Sequence, residues 1–207
     1  MALTDIEIAS LALTKLGDEP IQNFDDTQRS KAAGQIYAHE KKRILGSYPW
    51  KFSFKYAQLS LLLQPPLIQW KYQFTLPPDR ISDNMFKVFN SNKVGARTTP
   101  NYTVLDNVLL SNFDEIWVMY QYDIDEAMYP PYFESLMVKV MMAEMCFLVT
   151  DSTSKELDLK QEVYGTPSEL GRGGLFAATM GTDSKDNPLV QIKDFTLIEG
   201  RYSSGGY

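Results

Sequence analysis

The chain is short of the residues that most chemistry needs. It has a single histidine, His39, and a single cysteine, Cys146, in 207 residues. A zinc site of the usual nitrogen and sulfur kind takes several such ligands, so it is all but excluded. One cysteine cannot form an internal disulfide, which suits a reducing compartment. Positive charge is also scarce: 20 Lys and Arg stand against 26 Asp and Glu, a net charge of −6. That argues against a protein that wraps nucleic acid, because neutralising phosphate takes clustered Lys and Arg. The one tight basic run, Lys41-Lys42-Arg43, is read as a solvated helix face. No apolar run reaches the ~20 residues that cross a bilayer; Lys139 and Glu144 interrupt the longest. The first residues, MALTDIEIASLAL, carry acids where an export signal carries positive charge. A soluble protein made in the cytoplasm is expected.

Familiar catalytic patterns are missing too. There is no Walker A sequence and no G-x-S-x-G. Gly171-Arg172-Gly173-Gly174 is not a dinucleotide fingerprint, since Phe176 stands where the last glycine belongs. The acids Asp123, Asp125 and Glu126 start like a calcium loop but fail it: Met128 replaces the required glycine, and Glu134 follows two prolines. Paired carboxylates there, at Asp25-Asp26 or at Asp114-Glu115, leave glycan cleavage as an alternative function. Acids ahead of a helix start are, however, ordinary partners of its dipole. Cys146, in the most apolar stretch, reads as an inert buried thiol. No enzymatic site, cofactor or metal is expected.

What the chain does have is hydrophobic patterning, with 44% apolar residues, enough for a proper core. Thr4 and Glu7 form a capping box ahead of helical spacing from Ile6 to Leu16, closed by Gly17. A second helix is predicted from Asp26 or Thr27 to Tyr48, stopped by Pro49. The period then drops to 2. Trp50, Phe52, Phe54 and Tyr56 alternate with polar residues, which predicts a strand with one aromatic face. Further strands are predicted over residues 68–76, 85–89, 102–105, 108–110 and 115–122, separated by Gly, Asn and Pro.

Pro130 and Pro131 suit a helix entrance. The helix behind them is apolar on almost every side. Phe133, Leu136, Met137, Val140, Met141, Met145 and Leu148 give one stripe, and Val138, Met142, Cys146 and Val149 a second. Two stripes need two partner surfaces, so part of the cover is expected from another subunit. Leu136, Val140, Met141, Met145 and Leu148 are the expected bundle core. A further helix starts at residue 151 and breaks near Gly165 and Pro167, with resumption over residues 175–180. Residues 188–207 alternate weakly and end in Ser and Gly; Phe195, Leu197, Ile198 and Tyr202 make them too apolar to serve only as a solvated tail.

The fold expected from these signals is α+β: a mainly helical bundle with an inserted small antiparallel sheet or sandwich and an extended C-terminal arm. The divisions are residues 1–49 for a helix pair, 50–122 for the β-lobe, 123–187 for the remaining helices and 188–207 for the arm.

Three segments taken together resemble the head-to-tail adaptor proteins of tailed bacteriophages, of the tail tubular protein A and gene transfer agent adaptor type. They are GSYPWKFSFKYAQL at residues 46–59, LPPDRISDNMFKVF at 76–89, and DIDEAMYPPYFESLMVKVMMAEMCFLVTDS at 123–152. The opening helix pair and the closing IKDFTLIEGRY extend the likeness over most of the chain. The resemblance implies a ring of about twelve subunits beneath a portal protein, a tail, nozzle or stopper protein on the other side, and double-stranded DNA passing through without sequence-specific binding. It implies a place at the head–tail junction of the virion. It also implies that residues 188–207 reach a portal or neighbouring subunit through Phe195, Leu197, Ile198 and Tyr202. The interrupted stretch from Gly165 to Gly174 departs from relatives that keep a longer unbroken helix. A tail-completion or terminator protein is a further alternative.

Overall fold

Helix α1, Asp5–Leu16, begins in the capping box that its sequence announces. The Thr4 hydroxyl accepts from the Glu7 N–H, and the Glu7 carboxylate accepts from the Thr4 N–H at 2.8 Å. Two of the four N–H groups that a helix start leaves open are thereby satisfied. Helix α2, Gln28–Ser47, repeats the device with Thr27 and Ser30. Phe24 in the connecting loop lies flat on α2 at Gly34, where a Cβ would stand only 2.9 Å from its ring.

The computed structural model describes residues 3–64, 66, 69–82, 87–93, 96, 98–169 and 171–185. The fold is α+β: five helices with small antiparallel sheets inserted between the second and third.

The chain does not enter the lobe as the alternation predicted. Trp50 is fully buried in the bundle, and residues Lys51–Ser53 form a single 3-10 turn. Strand β1 begins only at Phe54 and runs Phe54–Gln58. The cause is local and tertiary together. Ser53 donates from both its N–H and its hydroxyl to the Trp50 carbonyl, at 3.0 and 2.8 Å. The indole meanwhile packs edge-on against Tyr48, Phe133 and Phe176. Burying so large a ring outweighs the two-residue pattern.

Strand β2 is Ser60–Leu61 and β3 is Tyr72–Thr75. The strand expected over 68–76 is thus shorter, because Gln69 has φ 62° and is not extended; residue 68 lies outside the described residues. Strand β4 is Lys87–Phe89, with residues 85 and 86 of the expected strand also outside. Strands β5, Tyr102–Leu105, and β6, Val108–Ser111, form a hairpin. Its two turn residues, Asp106 and Asn107, have φ 46° and 70°, the left-handed pair that a tight hairpin turn requires. Strand β7 is Trp117–Gln121. All pairings are antiparallel and make two sheets, β1-β7-β4 and β2-β3-β6-β5. Leu59, Phe74, Leu76, Val88, Leu109, Ile116, Val118 and Tyr120 form one shared core for them.

Helix α3, Pro131–Thr150, starts at its prolines as expected. Asp151, with φ 51°, ends it, and α4, Thr153–Tyr164, begins at the Ser152 cap. The break near Gly165 is present. A 3-10 turn, Pro167–Glu169, precedes α5, Gly174–Lys185. Gly174 has φ 55°, and a Cβ there would strike the backbone of Glu162 and Val163, so no other residue fits the turn between α4 and α5 without strain.

Helices α1, α2, α4 and α5 all pack on α3. Leu136, Val140, Met141 and Met145 are fully buried, as are Phe133, Met137 and Cys146. Val138 and Met142 on the second stripe are 3% and 8% exposed. Up to Cys146 both stripes are therefore covered within one chain. Leu148 is a correction: it is 48% exposed, beside Phe147 at 45%. Helix α1 starts level with Glu134, whose carboxylate accepts from the Leu3 N–H at 3.1 Å. At ~1.5 Å per residue α1 ends after about 18 Å, well short of the ~30 Å of α3. The last turn of α3 overhangs its neighbour.

Among the described residues, no helix is long and apolar enough to cross a membrane. Residues 188–207, with Phe195, Leu197, Ile198 and Tyr202, lie outside the described residues.

Candidate functional site

The densest polar structure in the molecule lies where the bundle meets the β-lobe. Three remote segments converge on it, and they are the three that carry the family resemblance. Lys55 of β1 is hydrogen-bonded to the Asp79 carboxylate. Its ammonium lies over the rings of Tyr122 and Tyr120, 4.3 and 5.6 Å from their centroids, a favourable place for a cation. The Tyr120 hydroxyl donates to Asp79 at 3.0 Å. Burial pushes the Asp79 carboxyl up, but the bonds from Lys55 and Tyr120 and the charge of Lys55 outweigh it. The group is held below its ordinary value. Lys55 is raised in turn, chiefly by its bond to Asp79.

The backbone closes the same joint. Asp123 N–H donates to the Asp79 carbonyl at 2.8 Å, and Ile81 N–H to the Gln121 carbonyl at 3.0 Å. Tyr122 N–H donates to the Ser53 carbonyl at 3.0 Å. The Gln121 side chain reaches into the bundle and donates to the carbonyls of Leu45 and Tyr48, at 2.7 and 3.0 Å. Leu45 lies in the last turn of α2, whose carbonyls a helix end leaves without internal partners, and Tyr48 is its cap residue. Trp50 completes the joint from below: its indole N–H donates to the Ile44 carbonyl at 2.9 Å.

The acid cluster has structural partners. The Lys41 ammonium stands 3.0 Å from both Asp123 and Glu126. Tyr37 donates to Glu126 at 3.0 Å; its hydroxyl is pushed far above the ordinary range by burial first, then by the nearby Tyr129 and Glu126. The Asp125 carboxylate caps the Ala127 N–H at 2.9 Å. Lys41 therefore does not belong to a solvated face: its side chain is 14% exposed. Arg43 likewise is tied to Glu40 and stacks over Tyr164, and Lys42 is exposed. The period-3.6 spacing of α2 was visible in the sequence, but not that its basic edge faces the acids across the joint.

Asp183 is a site residue that sequence reasoning missed. It sits near the end of α5 and is 1% exposed. Its carboxylate accepts from the Lys51 N–H at 3.2–3.3 Å and from the Tyr132 hydroxyl at 2.9 Å. It lies where the chain turns polar, from Thr182 onward, and nothing local marks it as buried.

His39 is exposed and pairs with Glu40 at 3.0 Å, and Cys146 is buried. Among the described residues no group of three or more His, Cys, Asp or Glu is arranged to hold a metal.

Exposed apolar side chains gather away from the joint. Leu61, Leu62 and Leu63 follow one another along the edge strand β2 and beyond, with Leu63 completely exposed. Phe147, Leu148 and Leu157 mark the opposite end of the bundle, and Met128 projects beside the joint. The run of three leucines was legible in the sequence. Its exposure was not, since apolar runs beside strands are more often buried.

No protein-family model matches this chain, and no curated protein matches it either.

Proposed function

We propose that the protein is a structural virion component, a head-to-tail adaptor. About twelve copies form a ring beneath the portal, receive the tail, nozzle or stopper protein, and let double-stranded DNA pass. The observation that carries this reading is the convergence at the joint. Residues 46–59, 76–89 and 123–152, the segments that resemble the adaptor family, are distant in sequence and yet meet through Lys55, Asp79, Asp123 and Trp50. Their likeness therefore covers one physical unit, the hinge that fixes a β-lobe on a helical bundle.

The charge balance supports the same reading. A net charge of −6 suits a conduit, because like charge keeps phosphate from adhering to its wall. Of the acids that suggested glycan cleavage, Asp123, Asp125 and Glu126 are held by Lys41, Tyr37 and a backbone N–H, which favours a structural over a catalytic role for these three. In this reading Phe195, Leu197, Ile198 and Tyr202 anchor the arm on the portal or on a neighbouring subunit, each contributing ~1–2 kcal/mol as large side chains at interface centres do. The virion head–tail junction is then the site of action, after synthesis in the host cytoplasm.

The test is electron microscopy of the purified protein, alone and with its portal. Rings that attach to portal-bearing heads are expected. A chain lacking residues 188–207 should stay folded with a near-unchanged thermal midpoint and lose attachment. A protein that stays monomeric and unattached with portal present overturns the proposal. Sugar release from a polysaccharide, abolished by Glu126→Gln, would favour the glycan-cleaving alternative.

A further inference from the structure

The described chain ends at a groove. Helix α5 stops at Lys185, two residues past Asp183, and Asp183 forms part of the wall of a cleft of about 530 Å³. Its floor and sides are Phe52, Met128, Pro130 and Tyr132. Met128 is 65% exposed there. The side chains of Asp183, Lys51 and Tyr132 at the rim are already engaged. Asp183 accepts from Lys51 and Tyr132, and the Lys51 ammonium donates to the Ser184 carbonyl at 2.8 Å. The cleft thus offers apolar and aromatic surface with a satisfied edge, which fits apolar side chains better than an ion or a sugar.

We infer that this groove seats the root of the chain's own C-terminal arm, with Leu189 and Val190 against Met128 and Pro130. The occupant follows from where the chain leaves the fold. An extended residue spans at most ~3.3–3.6 Å, so Leu189, four residues past Lys185, can travel about 14 Å, which is enough to lie along the cleft. Pro188-Leu189-Val190 is the first apolar run that the chain presents after α5. A tether this short holds it at an effective concentration on the order of mM, which a second copy in dilute solution does not match. Seating the root fixes the direction in which the rest of the arm leaves the body. The inference concerns the isolated chain and stands whether or not the adaptor reading does.

Disulfide trapping in the full-length protein tests it. The pair Met128→Cys with Leu189→Cys should form an intramolecular bond under mild oxidation at least tenfold faster than the pair Leu63→Cys with Leu189→Cys. The native thiol, Cys146, is fully buried and does not compete. Equal rates for the two pairs overturn the inference. So does a bond that forms only between two chains, each carrying one substitution, since the occupant would then be a second copy. Hydrogen exchange gives an independent reading without cysteines. Leu189→Asp with Val190→Asp should raise exchange of the backbone around Ala127 and Met128 several-fold; unchanged exchange refutes a seated arm.

Discussion

The helical bundle and the β-lobe keep themselves folded by different means. The bundle surrounds α3 with four helices and one continuous core that takes in Ile8, Leu13, Ile44, Trp50 and most of α3. The lobe has two sheets of strands two to five residues long over a core of eight buried side chains. Lone hairpins and very small sheets are marginal in water. The lobe therefore depends on the joint, where the Gln121 side chain ties it to the end of α2 and the Asp79 carbonyl ties it to Asp123 ahead of α3. The bundle is stabilised by apolar area, the lobe by its own small core plus a polar clasp to a larger neighbour.

The contrast is broken most severely by placing charge in the bundle core. Met141→Asp buries an unpaired carboxylate among α1, α3 and α4, at a cost of several kcal/mol. The expected outcome is loss of cooperative unfolding and insoluble protein, read by circular dichroism and sedimentation. A soluble variant with an unchanged melting curve would show α3 to be less enclosed than the packing indicates.

Trp50→Ala comes next. Removing a buried Trp costs about 3–5 kcal/mol and also strips the Ile44 carbonyl of its indole donor. Chemical denaturation should show the whole chain weakened, because the ring serves both regions. If only the lobe's amides exchange faster, Trp50 belongs to the joint alone.

Asp79→Asn separates the two regions. The loss should be modest, about 0.5–1 kcal/mol, since the pair with Lys55 is partly exposed and screened by solvent. It should fall on the lobe, seen as faster amide exchange in β1, β4 and β7 with α3 unchanged. The pH dependence has a definite sign. The Asp79 carboxyl holds its proton less tightly folded than unfolded. Its contribution is therefore complete above the unfolded value near ~4 and is lost as pH falls through the lower folded value. The wild-type lobe should loosen first on acidification, and Asp79→Asn should flatten that limb.

The smallest effect belongs to Leu63→Ser. Its side chain is fully exposed, so stability should shift by no more than ~0.5 kcal/mol. A larger loss, measured by thermal melting, would mean that the leucine edge of the lobe is covered within the chain.

The candidate site divides along the same line as the fold. Each of its segments was visible as a motif: the aromatic run from Trp50, the turn at Pro77-Pro78-Asp79, and the acidic entrance before Pro131. Their meeting was not, because nothing in the local pattern says that Lys55 and Asp79, or Lys41 and Asp123, face one another. Asp183 is the clearest case, a buried carboxylate in a stretch with a polar signature. Leu148 fails in the other direction: it keeps the helical spacing of the core, but a shorter neighbouring helix leaves it in water.

Local signals in the sequence determined where the helices begin and end, through Thr4 and Glu7, Thr27, Pro130-Pro131 and Gly165, and they placed a β region between α2 and α3. Caps, prolines and periodicity act over a few residues, so a chain carries them whatever its neighbours do. The tertiary structure alone decided that Trp50 leaves its strand pattern for the bundle core, that α3 is enclosed by its own chain as far as Cys146 and open beyond it, and that three distant segments close one joint. Those outcomes depend on burying large rings and pairing charges between elements tens of residues apart, and such energies exist only once the elements are packed.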